Sequence, residues 1–378
     1  MKSLSTLRLY STLLALAAIP LSQAKGDQGA IVVGASLPLS GTNAAAGQEG
    51  LAVLQSYFDS INRAGGIEGR PLQLIALDDA FNPQKAADNA RALVAGKAVA
   101  IVNCWGTSNC ASMVPIVTQA GLPLVGGLAG GGVMRSTPGR YVFNIRASTV
   151  TEIDAMARHM TNIGQRSIAV VYQDDLFGKS GLAAAQQVLR QQNMQPVLEL
   201  TLAPDGSNAA AVADALNRDP APNGIILVAS PPATVSLITQ ARKNGIRTQF
   251  YNLAAQANSA VVRGLGEHTA GVVFTTLVPN PWRNTVAAVK EYQQLADSGA
   301  GQAHYSYLGM EVYLNARTLV DGLRKAGRNV QRESLTAALE TLEPRQYGPM
   351  TVRFGPKQRD GSSYVSLTMI DRRGHFIE

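Results

Sequence analysis

Two polar loops follow two neighbouring apolar runs, and they carry the side chains best suited to binding a small molecule. Residues 99–102 lead to Trp105, Thr107 and Ser108, and residues 122–125 lead to a glycine-rich loop. Hydroxyls can hydrogen-bond a ligand, the indole offers a flat apolar face, and glycines let backbone N–H groups approach closely. Ligands of parallel α/β sheets bind beyond the carboxyl ends of the strands, so this order predicts a binding site. A pair of ordinary turns is the alternative.

Cys104 and Cys110, the only cysteines, flank the first loop. Two thiols this close in sequence normally pair in an oxidising compartment, so we expect a disulfide that holds the loop in place. Two reduced cysteines, one of them on a buried helix face, are the alternative. The spacing excludes a CxxC redox motif, and a zinc site would lack further ligands.

No catalytic constellation stands out. Residues 178–180 (GKS) open a helix after a strand, as in a phosphate-binding loop, but the required earlier glycine is replaced by Gln173. The aspartate pairs at residues 78–79 and 174–175 follow strands, where capping of the next turn or helix is favoured over metal binding or acid–base work. The scattered histidines form no metal-ligand pattern. We therefore expect no catalytic residue, metal or cofactor, and an enzyme is the least favoured interpretation.

Length and composition favour two packed domains. The chain has 378 residues, 46% hydrophobic and 16% charged, which is typical of globular proteins. Its formal net charge is +7, and the basic residues are scattered, so nucleic acid is an unfavoured partner.

The N-terminus has the pattern of a secretory signal peptide. Lys2 and Arg8 give a positive start, residues 9–21 are mostly apolar, and small residues lead to Ala24. Cleavage near Ala24 would release an exported protein. The apolar stretch is too short to span a membrane, so no membrane insertion is expected.

Alternating apolar runs and amphipathic segments predict two α/β layers in series. In the first half, we expect strands at 30–37, 72–77, 99–102 and 122–125, helices at 48–62 and 84–94, and a helix-like segment between the last two of these strands. Residues 141–145 lead out of this unit. After Arg146 we expect strands at 168–172, 197–202, 225–228, 249–253 and 271–276, and helices at 152–160, 181–192, 209–217 and 235–244. The remainder is expected to add helices at 285–296, 307–326 and 332–342 and strands at 350–354 and 364–370.

Several stretches together resemble the leucine/isoleucine/valine-binding protein family of type I periplasmic binding proteins. Residues 38–41 (PLSG) resemble its opening motif, and residues 61–72 (INRAGGIEGRPL) are similar to its most recognisable run. The acids at 78–79, the Phe177-Gly178 step and residues 241–245 (ARKNG) fall in matching order. The match covers essentially the whole mature chain.

The resemblance implies an α/β fold of two Rossmann-like lobes with parallel sheets, joined by a three-crossing hinge. The expected bounds are residues 25–146 with 278–350 for lobe 1, and residues 147–277 with 351–378 for lobe 2. The lobes would close over a small ligand in the periplasm and deliver it to an ABC permease in the inner membrane. A subunit that passes its closed state to a membrane sensor is the alternative.

The resemblance also implies which residues bind the ligand. The loops that match Thr107 and Ser108, and Leu128, Ala129 and Gly130, hold the ligand's carboxylate in the family. Phe177 matches an aromatic residue of the second lobe. Trp105, in the first loop, would contact the apolar portion of the ligand.

Four positions depart from the family pattern. Gly130 stands where the family has a hydroxyl-bearing residue in the glycine loop, and Ala46 matches an aromatic residue near the first loop. Ala254, with Gln256 close by, stands where amino-acid binders place a carboxylate for the ligand's ammonium, and Ser230 replaces an aromatic residue. We therefore expect a less acidic pocket and a small carboxylate or amide ligand in preference to a standard α-amino acid. Aromatic and amino-acid-like ligands stay open, because Asp174 or Asp175 could supply an acid instead.

Overall fold

Five short parallel strands form the first sheet: β1 (Ile31–Leu37), β2 (Leu72–Asp78), β3 (Ala100–Val102), β4 (Leu124–Val125) and β5 (Val142–Phe143). Their order in the sheet is β2-β1-β3-β4-β5. The connecting helices are α1 (Ala44–Arg63), α2 (Pro83–Ala95), α3 (Thr107–Gln119) and the short α4 (Val133–Ser136). The computed structural model describes residues 29–136, 139–298, 305–371 and 373–377, so the expected signal peptide lies outside the described residues.

The second sheet has a parallel centre and an antiparallel edge. Its strands are β6 (Ile168–Gln173), β7 (Leu198–Leu202), β8 (Gly224–Val228), β9 (Gln249–Asn252), β10 (Val272–Thr276) and, from the C-terminal region, β13 (Ser366–Ile370) and β14 (Phe376–Ile377). The order is β14-β13-β10-β9-β8-β6-β7, with β13 antiparallel to both neighbours. The helices of this lobe are α5 (Thr149–Asn162), α6 (Leu176–Gln191), α7 (Ala209–Leu216), α8 (Pro231–Lys243) and α9 (Ser259–Leu265).

The segment between β10 and β13 returns to the first sheet. It contains α10 (Ala287–Asp297), α11 (Tyr307–Ala326), α12 (Arg332–Glu340) and a hairpin of β11 (Arg345–Tyr347) and β12 (Met350–Val352). Helix α11 packs against α1, α12 and β3. The expected helices are present with shifted ends, whereas α4, α9, β11 and β14 were not expected from the sequence. Strand β5 lies in the segment that was expected only to lead out of the first unit.

Both sheets are covered on both faces, which is why their strands are apolar at consecutive positions. In the first sheet, Val33 and Ala35 pack with residues of α1 and α11, while Ile101 and Leu124 pack with residues of α2 and α3. The second sheet divides its residues in the same way between α7 and α8 on one face and α5 and α6 on the other.

The chain passes between the sheets three times, after β5, after β10 and after β12. The first and third crossings run side by side and are hydrogen-bonded. The Asn144 N–H donates to the Arg359 carbonyl (2.9 Å), and the Gly361 N–H donates to the Asn144 carbonyl (2.7 Å). No membrane-spanning helix is found among the described residues.

Asn315 of α11 fixes the turns at the ends of β3 and β4. Its Nδ2 donates to Asn103 Oδ1 (2.7 Å) and to the Gly126 carbonyl (2.9 Å), and the side chain is buried. Asn103 and Gly126 both have left-handed backbones, with φ of 60° and 72°. One amide therefore positions the start of both polar loops, the one with Trp105 and the one rich in glycine.

We expect Asn315→Leu to lower the free energy of unfolding by at least about 2 kcal/mol, because two buried acceptors lose their donor. Urea unfolding followed by circular dichroism measures the change. Gln294→Ala, which removes an exposed amide from the neighbouring α10, should stay within about 0.5 kcal/mol of the wild type. Equal stability of the two variants would contradict the proposed role of Asn315.

Candidate functional site

A cavity of about 370 Å³ lies between the carboxyl ends of the two sheets, within the size range of small-molecule sites. Nine of the ten residues expected to bind the ligand line it: Trp105, Thr107, Ser108, Leu128, Ala129, Gly130, Phe177, Ser230 and Gln256. The tenth, Ala254, is not among the lining residues, although its neighbour Ala255 is. The cavity thus brings together loops that are far apart in sequence, because parallel strands of each sheet end at the same edge.

The first loop places a helix N-terminus at the cavity. Gly106 has a positive φ of 85°, and a Cβ on it would meet the Phe81 ring at 2.8 Å, so glycine is required at this turn. Helix α3 begins at the next residue, Thr107, which leaves the first backbone N–H groups of the helix without intrahelical partners. Within the described ranges of the chain, the hydroxyls of Thr107 and Ser108 make no hydrogen bond. This end of the cavity therefore presents donors and the positive end of the helix dipole.

A disulfide joins Cys104 to Cys110 and closes the first loop onto α3, as the sequence predicts. The loop is also tied to the second loop. The Leu128 N–H donates to the Cys104 carbonyl (2.8 Å), and the Gly106 N–H donates to the Leu128 carbonyl (3.3 Å). The two loops therefore form one rigid wall of the cavity.

Gly130 in the second loop has no room for a side chain. A Cβ on it would lie 2.6 Å from Thr149 Oγ1 and 3.5 Å from Glu152 Oε1. Its carbonyl accepts a hydrogen bond from the Thr149 N–H (2.9 Å), while its own N–H makes no hydrogen bond among the described residues. The hydroxyl at this place in the wall comes from Thr149, which also lines the cavity and was not expected there from the sequence.

The wall on the second lobe is built from capped turns. Asp175 caps α6 by accepting from the Gly178 N–H (2.9 Å), and its other oxygen accepts from Gln173 Nε2 (2.6 Å). Gln173 Oε1 in turn accepts from the Ser230 N–H (2.8 Å). Phe177 follows the cap and lines the cavity. The capping interpretation of this acid is thus confirmed, and its oxygens are already engaged within the protein.

The aspartate pair at residues 78–79 does not line the cavity. Asp78 Oδ1 accepts from the Leu39 N–H (2.8 Å) and the Ala80 N–H (2.8 Å), so it holds the turn that follows β1. Hydrogen bonding by the Ser40 hydroxyl, against a smaller effect of burial, holds the pKa of Asp78 below its ordinary value. These acids are structural.

The less acidic pocket predicted from Ala254 is not what the structure shows, because a buried acid of another element lies beside this residue. Glu152, in the first turn of α5, lines the cavity and is 1% exposed. Its Oε2 accepts from the Ala254 N–H (2.8 Å) and from the Thr275 hydroxyl. The backbone of Ala254 thus holds a carboxylate in place, although its side chain provides none.

Arg146, on the first crossing between the lobes, also lines the cavity and was not expected there. Its side chain is 5% exposed, with Nε 3.4 Å from Glu311 Oε1 and Nη2 4.0 Å from Glu152 Oε1. Burial, opposed by the guanidinium of Arg146, raises the pKa of Glu311. The guanidinium therefore lies between an acid of α11 in the first lobe and an acid of α5 in the second.

The lobes touch beside the cavity. The Gly132 N–H donates to Ser180 Oγ of α6 (3.2 Å), and a Cβ on Gly131 would lie 3.2 Å from the same oxygen. The glycine loop of the first lobe therefore contacts the second lobe directly. Among the described residues, no group of three or more His, Cys, Asp or Glu side chains is arranged to hold a metal ion.

A family model described as periplasmic binding protein matches residues 30–374. Among curated proteins, the chain is similar to an amino acid binding protein of Pseudomonas aeruginosa, at 22% identity over 74% of this chain and 76% of that protein. It is also similar to the Leu/Ile/Val-binding protein of Escherichia coli (strain K12), at 22% identity over 65% of this chain and 66% of that protein.

Solved structures show the same fold over nearly the full length. A possible leucine/isoleucine/valine-binding protein from Rhodopirellula baltica SH 1 superposes with a TM-score of 0.87 at 26% identity, covering 96% of this chain and 98% of that one. An extracellular ligand-binding receptor from Verminephrobacter eiseniae ef01-2 gives 0.86 at 26% identity, covering 93% and 100%.

The disulfide closes a short loop, so the double variant Cys104→Ala with Cys110→Ala should lose about 2 kcal/mol of stability. We expect a lower melting temperature and a weaker affinity for any ligand of the first loop, because that loop is no longer held. Differential scanning calorimetry of the variant and of reduced wild-type protein measures the melting temperature. The same melting temperature for variant and oxidised wild type would contradict the prediction.

Gly130→Ala should lose roughly 1–3 kcal/mol, because its Cβ overpacks against the Thr149 hydroxyl. Thr149→Ala in the same chain removes the clashing oxygen and should restore some of the loss. The four proteins of this double-mutant cycle are compared by thermal unfolding. Additive effects of the two substitutions would show that the contact does not limit position 130.

Proposed function

Because the chain belongs to the periplasmic binding protein family, we propose that it is an exported solute-binding protein that captures a small organic ligand between its lobes and delivers it to an ABC importer in the inner membrane. The observation that carries this proposal is the cavity between the lobes. Its wall on the first lobe exposes the N-terminus of α3 and two hydroxyls that make no hydrogen bond among the described residues. Such a wall suits a carboxylate or a carbonyl oxygen. Trp105 and Phe177 offer aromatic contacts to the apolar portion of the ligand.

Closure of the lobes is the proposed mechanism. The ligand makes contacts with both lobes only when they are closed, and this differential contact free energy shifts the population towards the closed state. The three crossings bend to allow this motion, and the proposed lobe bounds are residues 25–146 with 278–350 and residues 147–277 with 351–378. The contact between Gly132 and Ser180 belongs to the closed form.

Export and the membrane partner complete the proposal. The proposed signal peptide of residues 1–24 directs the chain to the periplasm, where the Cys104–Cys110 bridge is stable. The closed form then docks on an ABC permease and releases its ligand unchanged. No catalytic step belongs to this function, and recovery of chemically altered ligand after incubation would argue for an enzyme instead.

A membrane sensor is the second candidate partner. The similarity to a structure described as an extracellular ligand-binding receptor favours it. Genes for a permease and an ATPase next to this gene support the importer, whereas a neighbouring sensor gene supports the receptor role.

A thermal-shift screen against amino acids, aromatic acids, oxo acids and amides tests the binding function. A ligand at a hundredfold over its dissociation constant adds about 2.7 kcal/mol to the free energy of unfolding, which is a readily measured shift. We expect at least one carboxylate or amide to raise the melting temperature. No shift with any compound of the panel would contradict the proposed function.

Replacing Thr107 and Ser108 together by alanine should weaken binding of the ligand found in that screen by about 2 kcal/mol or more, since each hydrogen bond to a charged group contributes roughly 1.5–3 kcal/mol. Isothermal titration calorimetry gives the affinity. Thr118→Ala, an exposed hydroxyl further along α3, is the matched control and should leave the affinity unchanged. Unaltered affinity in the double variant would remove these hydroxyls from the site.

A further inference from the structure

Arg146 is the buried group of the cavity whose hydrogen bonding the fold leaves most incomplete. Its side chain is 5% exposed, yet none of its guanidinium nitrogens makes a hydrogen bond within the described ranges of the chain. Nε is sealed from solvent near Glu311, at 3.4 Å and without hydrogen-bond geometry. Burial of a charge without hydrogen bonds is costly, so native structures provide partners for it. The cavity that Arg146 lines is where a partner can enter.

A buried arginine elsewhere in the second lobe shows what a structural arginine looks like in this protein. Arg242 is 6% exposed, and its guanidinium donates to the carbonyls of Ile246 (2.7 Å), Thr248 (3.0 Å) and Ala270 (2.8 Å). Its donors are used by the fold, and it does not line the cavity between the lobes. Arg146 has similar burial without these partners.

The hydrogen-bonding groups still open at the cavity are mainly donors. The hydroxyls of Thr107, Ser108 and Thr149 and the N–H of Gly130 make no hydrogen bond with any described residue, and Arg146 adds its Nη groups. On the acceptor side, Asp175 has both oxygens engaged. Glu152 has Oε2 engaged twice, and its Oε1 faces Arg146 at 4.0 Å. Gln256 Oε1 is a buried acceptor of the cavity that also makes no hydrogen bond among the described residues. Because the open donors are more numerous, a ligand that completes them must supply acceptors.

An ammonium group fits this arrangement less well. Beside Glu152 it would also face the guanidinium of Arg146, whose Nη2 lies 4.0 Å from Glu152 Oε1. Like charges at such distances repel strongly where water is excluded. An oxygen acceptor avoids this repulsion and satisfies the open donors.

We propose that Arg146 donates a hydrogen bond to an oxygen of the ligand adjacent to the ligand's carboxylate. The site would therefore select 2-oxo carboxylic acids over the corresponding 2-amino acids. The inference rests on the solute-binding function proposed above and names its ligand class. The carboxylate binds at the N-terminus of α3, the oxo oxygen at Arg146, and the apolar chain lies between Trp105 and Phe177.

The test compares three matched ligands by isothermal titration calorimetry: 3-phenylpyruvate, 3-phenylpropanoate, which lacks the oxo oxygen, and phenylalanine. We expect wild-type protein to bind 3-phenylpyruvate at least about tenfold more tightly than either of the others, as one hydrogen bond to a charged group provides. The aliphatic series 4-methyl-2-oxopentanoate, 4-methylpentanoate and leucine repeats the comparison with a smaller side chain.

The variant Arg146→Gln should bring the ratio of the affinities for the oxo acid and for its analogue without the oxo group close to one. Arg146→Lys, which keeps the charge, serves if the glutamine variant does not fold, and it should reduce the same ratio. Arg242→Gln is the control for loss of a buried arginine, and it should lower the melting temperature while the ratio persists.

Two outcomes overturn the inference. Tighter binding of phenylalanine or leucine than of the oxo acids would show that the site selects ligands with an ammonium group. Equal wild-type affinities for the oxo acid and for the acid without the oxo group would show that Arg146 does not hydrogen-bond the oxo oxygen. In both cases ligands still bind, so the solute-binding function survives, whereas a complete lack of shifts in the broad thermal screen would contradict that function itself.

Discussion

A buried guanidinium at the junction of the lobes is the interaction on which the arrangement of the site depends. Arg146 leaves the first sheet on the crossing after β5 and lies between Glu311 of α11 and Glu152 of α5. Charges taken out of water require close partners, and removal of one member from a buried set is strongly destabilising. The guanidinium therefore links the first lobe, the crossing and the second lobe beside the cavity that it lines.

The rest of the site consists of the ends of strands, the first turns of helices and the tight turns between them. Asn315 fixes the turns at Asn103 and Gly126, the disulfide closes the first loop onto α3, and a bridge through Leu128 joins the two loops. These contacts use backbone groups and small side chains within a rigid scaffold. Because the turns are satisfied by these contacts, the hydroxyls of the first loop stay open to the cavity in the described structure. Preorganised donors of this kind lower the cost of ordering when a ligand binds.

Much of this could be predicted from the sequence. The alternation of apolar runs and amphipathic segments indicated the strand and helix order, and the polar loops after residues 102 and 125 marked the correct edge of the first sheet. The exceptions have physical causes. Helix α9 is short and carries only two buried residues, Val261 and Leu265, so its periodicity is weak. The C-terminal strand β13 pairs antiparallel to β10, and no local pattern specifies which sheet a strand joins.

The sequence by itself determined the elements, the glycine turns and the first wall of the cavity, because propensity, capping and strand ends depend on neighbours along the chain. Only the tertiary structure decided the charges inside the cavity. Glu152 stands on the buried stripe of α5 beside Ile153 and Met156, which was the one available signal, but its partners Ala254 and Thr275 are distant in sequence. Whether a buried acid meets an N–H, a hydroxyl or a guanidinium depends on how separate segments pack. That packing is set by the whole core, and no single stretch of the chain contains it.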